Sequence, residues 1–295
     1  NIEREGAEEE ITVKELENVI KNVKEHTFES TLDDIADEII MPPQQIQEID
    51  TYVDSIKVDG TKVSNPIGLR GSELSLKVYA TFAPKVQFDS INKIMEELNL
   101  EVERLVVEPY AIAASYGGIR RDSEGAIFID IGGGTTDVAI ISNGEIEGTK
   151  MYGVGGRVFT ERIMRDEHLS FEEAEHLKLQ YCEGKLDEKQ KTHLREILRP
   201  DVGVWLTGLE LALEEFSDTK TFPPQILLCG GGSLMPEIME AMLEYPWKQK
   251  FNFTMYPKIH YYYPNKVNGV VDATRSLQNP EDVTPISLIR SGIDY

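Results

Sequence analysis

The stretch Phe128-Ile-Asp-Ile-Gly-Gly-Gly-Thr-Thr-Asp137 constrains this chain more than any other part of it. Residues 126–131 form an apolar run of strand length, and 137–142 form a second. Between them three glycines strip the turn of side chains, so the backbone there can come close to a bound group. The N–H groups of Gly132, Gly133 and Gly134, with the Thr135 and Thr136 hydroxyls, can cradle a β- or γ-phosphate. Asp130 and Asp137 would repel that phosphate unless they held Mg²⁺ through its waters, the habit of a cation that keeps its hydration shell. The plain alternative is a glycine-rich β-turn. The flanking acids and paired threonines favour the phosphate.

Two further glycine clusters stand where the same ligand would need them. Gly155-Gly156 precedes a helix expected over 157–166. Gly230-Gly231-Gly232 follows a buried strand at 226–229 and precedes a helix near Pro236. Helix starts of this kind favour anions. Around them the pattern predicts a small-residue helix over 109–116 and a third strand over 145–152 after a hairpin turn at Asn143-Gly144. Helices follow over 171–180 and 187–216, the latter with a break at Arg199-Pro200. The aromatics Phe251, Phe253 and Tyr261 to Tyr263 read as strand, and 273–277 as a short helix.

The first hundred residues carry a different pattern. Thr12 and Glu15 make a capping box ahead of an amphipathic helix, and a second helix over 32–40 is stopped by Pro42-Pro43. Strands are expected over 45–57 and 74–82, with turns at Asp59-Gly60 and 65–68, and a helix over 89–98. Residues 10–103 therefore read as a small α+β unit.

Acids outnumber bases 52 to 30, a net charge of −22. That field repels nucleic acid and anionic lipid, so no nucleic-acid partner is expected. Two cysteines cannot form a metal quartet or a disulfide framework, and five histidines lack ligand spacing. No apolar run is long enough to cross a bilayer. A cytoplasmic protein is the expectation.

Taken together, these motifs resemble the actin-like ATPases. IDIGGGTTDVAII is similar to their second phosphate motif, ILLCGGGSLMPEI to their adenosine motif, and VEPYAIAAS to the helix connecting the two halves of the fold. Within that superfamily the chain resembles the FtsA family of bacterial cell division. VDG followed by NPIGLRGSELSLKVYATF is similar to the strand pair of its inserted 1C subdomain, and GGRVFTERIM with AEHLK to its nucleotide-side helices.

The resemblance implies an α/β actin-like (ribonuclease-H-like) core that binds ATP with Mg²⁺. Asp130, Gly132, Gly133, Gly134, Thr135, Thr136, Asp137, Gly155, Gly156, Gly230, Gly231 and Gly232 would hold the nucleotide, and Asp130 and Asp137 the Mg²⁺ through water. Glu175 and Lys178 would contact ribose or adenine, although an i,i+3 surface pair is an equal reading. Glu108 matches the acid that positions the attacking water in some relatives, and Asp272-Ala-Thr-Arg-Ser-Leu277 a degenerate closing helix.

The implied organisation is an inserted α+β (1C-type, SHS2) subdomain over 1–103, with a remnant of the first domain at its start, and a return to the first domain over 104–124. A second domain over 125–270 would carry a helical 2B-type part at 168–216, and 271–295 would return to the first domain. The implied role is a polymerising scaffold at the division site of the inner membrane. It would bind itself as filament or dimer, an FtsZ-like C-terminal peptide through 171–216, and other division proteins through the inserted subdomain. A PilM-like pilus-assembly ATPase and a small-molecule kinase are the alternatives. The chain starts at Asn1 and shows neither the family's first phosphate loop nor its membrane helix. The expectation is thus weak ATP binding by these residues, at most weak ATPase activity, and membrane contact only through a segment outside the chain.

Overall fold

Strand β1 (Ile2–Glu3), helix α1 (Val13–Glu38), strands β2 (Ile46–Val58), β3 (Thr61–Val63) and β4 (Glu73–Pro84), and helix α2 (Lys85–Glu97) fall in the first of two units. The computed structural model describes residues 1–293 other than 5, 39, 117–124, 143–144 and 218, so the expected Asn143-Gly144 turn lies outside the described residues. It divides into Asn1–Val107 and Glu108–Tyr295.

The first unit is an antiparallel sheet ordered β1-β4-β2-β3. Asp59 and Gly60 take positive φ and close the β2–β3 hairpin. A small apolar cluster of Ile11, Val58 and Leu74, with Leu16 and Val19 from α1, joins helix to sheet. One expectation fails here. The two acidic helices are a single 26-residue helix, because no glycine or proline interrupts 13–38 and helix propagation is then cooperative. α2 begins at Lys85, four residues ahead of the pattern, directly after Pro84.

The second unit opens with α3 (Glu108–Ser115), followed by β5 (Ala126–Ile131), β6 (Thr136–Ser142) and β7 (Glu145–Tyr152). Helices α4 (Arg157–Asp166), α5 (Phe171–Cys182) and α6 (Glu188–Glu214) come next. Then come β8 (Gln225–Cys229), α7 (Pro236–Glu244), α8 (Trp247–Lys250), β9 (Lys258–Tyr261) and α9 (Val283–Ile293). The sheet order is β7-β6-β5-β8-β9, with β5–β6 and β6–β7 antiparallel and β5–β8 and β8–β9 parallel. A parallel neighbour requires a crossover, and α4 to α6 lie within the one between β5 and β8. Every residue of β5 is buried, as a central strand covered on both faces requires. Ile127, Ile129 and Ile131 share a core with Phe159 and Ile163 of α4 and Trp205 and Leu209 of α6. On the other face Phe128 meets the rings of Tyr116 and Tyr262 edge-on.

Three local expectations are corrected. α6 runs unbroken through Pro200. Leu194, Leu198, Val202, Trp205 and Leu209 are buried along it, and Asp201 receives a two-pronged bond from Arg162 at 2.7 and 3.0 Å. Burial of that whole stripe outweighs the hydrogen bond proline removes. Residues 273–277 form no helix. The Asp272 carboxylate instead accepts from the Thr274 and Leu277 amides, a side-chain bond that competes with helix. The C-terminal helix is α9. Of the tail aromatics only Tyr261 lies in a named strand, whereas Phe251 and Phe253 stack around Phe222 and Trp247.

Candidate functional site

The parallel strands β5 and β8 end side by side, with Asp130 in register with Cys229, and this brings the three glycine clusters together. The Gly132 and Gly133 carbonyls accept from the amides of Gly156 and Arg157 at 2.8 and 2.7 Å. A Cβ on Gly155 would lie 2.6 Å from the Gly132 oxygen and 2.9 Å from Gly133 backbone atoms. A Cβ on Gly156 would come 3.6 Å from Gly232 Cα. Gly230 has a φ of 78° and lies against Asp130 and Ile131, and a Cβ on Gly232 would strike Ile131. At 155, 230 and 232 the fold itself demands glycine.

At Gly133 and Gly134 it does not. Neither has positive φ, and an added Cβ would meet nothing within 4 Å. Both are exposed, and among the described residues their N–H groups have no hydrogen-bond partner. An exposed pair of free amides on a side-chain-free turn is what an anion cradle requires.

Three carboxyls gather beside the turn. Asp130 and Asp137 are paired across β5 and β6, and Glu108 opens α3. Burial raises the Asp130 carboxyl, partly offset by a bond from the Thr284 hydroxyl at 2.5 Å. Burial, then the charges of Asp130 and Glu108, push Asp137 up to about 7. Loss of surrounding water, then Asp130, raises Glu108. Among the described residues no three His, Cys, Asp or Glu side chains could hold a metal between them. Two neighbouring carboxylates instead suit a cation held through water.

Not every expected ligand residue faces this opening. Thr136 is fully buried. Its hydroxyl donates to the Val154 carbonyl at 2.7 Å and accepts from Trp205 Nε1 at 3.0 Å. Strand alternation turns it into the core, so its side chain is no phosphate ligand, and Thr135 is the hydroxyl left on the turn. Glu175 and Lys178 do sit at the wall of the opening. Lys178 Nζ donates to the Gly156 carbonyl at 3.2 Å, to Thr160 at 2.8 Å and to Glu175 at 2.8 Å. An ammonium has three protons, so Lys178 braces α5 against the start of α4 with its donors committed. Glu175, also bonded by Thr160, retains its second oxygen. Sequence reasoning missed Thr284 and Ser287. They lie beyond the segment read as the closing helix, and nothing in their local pattern marks them as neighbours of Asp130.

A family model described as Cell division protein FtsA matches residues 127–285, the segment that carries all three glycine clusters. Among similar curated proteins, each described as Cell division protein FtsA, that of Neisseria meningitidis serogroup B is 28% identical over 168 residues, 56% of this chain and 39% of that protein. That of Pseudomonas aeruginosa is 24% identical over 282 residues, 88% of this chain and 64% of that protein. That of Escherichia coli K12 is 31% identical over 159 residues, 53% and 34% respectively. The chain thus spans between about a third and two thirds of the length of these relatives. Among solved structures, a PilM-PilN type IV pilus biogenesis complex matches with a TM-score of 0.70 at 18% identity, covering 94% of this chain and 74% of that chain. The core is therefore an actin-like ATPase fold, and the chain belongs to the FtsA family of cell-division proteins.

Proposed function

We propose that this chain supplies the second phosphate loop and the adenosine side of a Mg-ATP site in a division scaffold of the FtsA type. One observation carries the reading: Gly133 and Gly134 present free, exposed amides at positions where the fold has no need of glycine. These amides and the Thr135 hydroxyl would bind the terminal phosphates. Asp137 and Asp130 would hold the Mg²⁺ hydration shell, and the cation would offset the burial that raises both acids and Glu108, and the neighbouring charges that add to it at Asp137 and Glu108. Bound Mg²⁺ neutralises phosphate charge and fixes the geometry of the polyphosphate. Gly156, Gly231 and Gly232 and the outer oxygen of Glu175 would flank the nucleoside. Glu108 would orient water, a role that gives at most slow hydrolysis.

In this reading residues 1–103 hold the inserted 1C-type subdomain, which contacts other division proteins, and the helical part at 168–216 is the 2B-type region. That region would receive an FtsZ-like C-terminal peptide. Nucleotide would bias self-association by favouring one domain arrangement over another. Family membership supports this scaffold over a small-molecule kinase.

The test is calorimetric titration of the natural full-length protein with Mg-ATP. Saturable binding is expected, and Gly134→Ala should weaken it at least tenfold without moving Tm, since the Cβ meets only ligand. Undiminished binding by Gly134→Ala would remove the phosphate-loop assignment. Fluorescence anisotropy with a labelled FtsZ-type tail peptide tests the partner: salt-sensitive saturation is expected, and no binding at low salt refutes it.

A further inference from the structure

The two oxygens of Asp130 have different surroundings. The residue is 6% exposed. Oδ1 lies against the Gly230 backbone so closely that no side chain would fit there, and Oδ2 accepts the Thr284 hydroxyl at 2.5 Å.

Thr284 reaches this point from a braced segment. The Asp282 carboxylate takes the Gln278 and Asn279 amides, each at 2.9 Å. The Pro280 carbonyl accepts from the Gly230 amide at 3.1 Å. Pro285 falls in the first turn of α9, where a missing N–H does no harm. One turn on, the buried Ser287 hydroxyl meets that of Ser115 in α3 at 3.0 Å. Positions 284 and 287 share a helix face. One face of α9 therefore touches both the carboxylate at the root of the phosphate turn and the helix that Glu108 opens.

We propose that Thr284 is a positioning residue. Its hydroxyl holds the Asp130 carboxylate against the Gly230 turn and so fixes the relation between the 132–135 loop and the 230–232 loop. Thr284 touches no ligand itself. Its second consequence, which rests on the nucleotide site proposed above, is that the Mg²⁺-dependent part of ATP binding depends on this hydroxyl.

The test compares Thr284→Val, which keeps shape and loses the donor, with Thr284→Ser, which keeps the donor. Hydrogen exchange on the ligand-free natural protein is read first. In Thr284→Val, peptides spanning 128–137 and 226–233 should exchange at least fivefold faster, with β7 and α6 unchanged. Thr284→Ser should stay within twofold of wild type throughout. An equal rise across the whole unit, or no rise, would overturn the positioning role. ATP affinity is then measured with Mg²⁺ and with EDTA. Thr284→Val should lose about tenfold with Mg²⁺ and less than twofold with EDTA, and Thr284→Ser should recover the difference. Equal losses in both buffers would overturn the Mg²⁺ link. A wild-type protein that binds ATP in neither buffer would instead refute the nucleotide reading, and the exchange data alone would then decide the role of Thr284.

Discussion

Substituting alanine at Gly155 and at Gly133 separates glycines that the fold requires from glycines that it does not. At Gly155 the new Cβ would stand 2.6 Å from the Gly132 oxygen and 2.9 Å from two Gly133 backbone atoms. All three are backbone atoms, so none can rotate away as a side chain would, and the start of α4 must move off the turn. Overpacking of this kind costs about 1–3 kcal/mol. The shift also strains the Gly156 and Arg157 bonds to the turn, at 2.8 and 2.7 Å, each worth ~0.5–1.5 kcal/mol. The sum is about 2–6 kcal/mol. For a unit of this size ~2–4 °C per kcal/mol applies, so Tm should fall by roughly 4–24 °C. At Gly133 the same methyl meets nothing within 4 Å, and Tm should stay within about 1 °C. Both tryptophans, Trp205 and Trp247, lie in the second unit, so thermal unfolding followed by tryptophan fluorescence reports that unit alone. Comparable losses for the two variants, or a neutral Gly155→Ala, would refute the packing argument.

Burial holds the folded Asp137 carboxyl near 7, above its unfolded value of 3.8, so the folded state binds that proton more tightly. Its stabilising effect is complete below pH ~4 and is lost as pH rises through about 7. Asp137→Asn should therefore raise Tm at pH 8 and change it little at pH 4, in scanning calorimetry at both pH values. Thr136→Val removes a hydroxyl that satisfies both Trp205 and Val154. It should cost about 1–3 kcal/mol in urea unfolding, and no loss would show that the buried groups find other partners. Pro200→Ala restores a helix donor within α6 and should stabilise by about 1–3 kcal/mol, read from the midpoint of the same unfolding curve. Asp201→Ala leaves the two-pronged Arg162 unpaired and should destabilise by about 1–3 kcal/mol.

The strands on either side of the Gly132–Gly134 turn were legible because their information is local. An apolar run that can only be buried, a triplet without side chains and two acids at fixed offsets act within ten residues of one another, and 126–131, 145–152 and 157–166 match their elements residue for residue. Local signals failed where long-range burial outweighed them. Pro200 should end a helix, yet the stripe from Leu194 to Leu209 holds α6 straight through it. Residues 273–277 look helical, but the Asp272 carboxylate captures their amides first.

Which glycines the fold requires and which it leaves open could not be read from the chain. The three clusters are alike in sequence, and only strand register, which sets Gly155 against Gly132 and Gly230 against Asp130, separates them from the open pair at 133 and 134. The same holds for Thr135 and Thr136, adjacent residues that the pleat sends to opposite sides, and for Thr284, whose partner Asp130 lies 154 positions away. Composition and local pattern determined the charge and most of the elements, because those act between chain neighbours. Tertiary packing decided which hydroxyl, carboxylate and amide remain free, because that depends on which distant backbone fills the space beside each one.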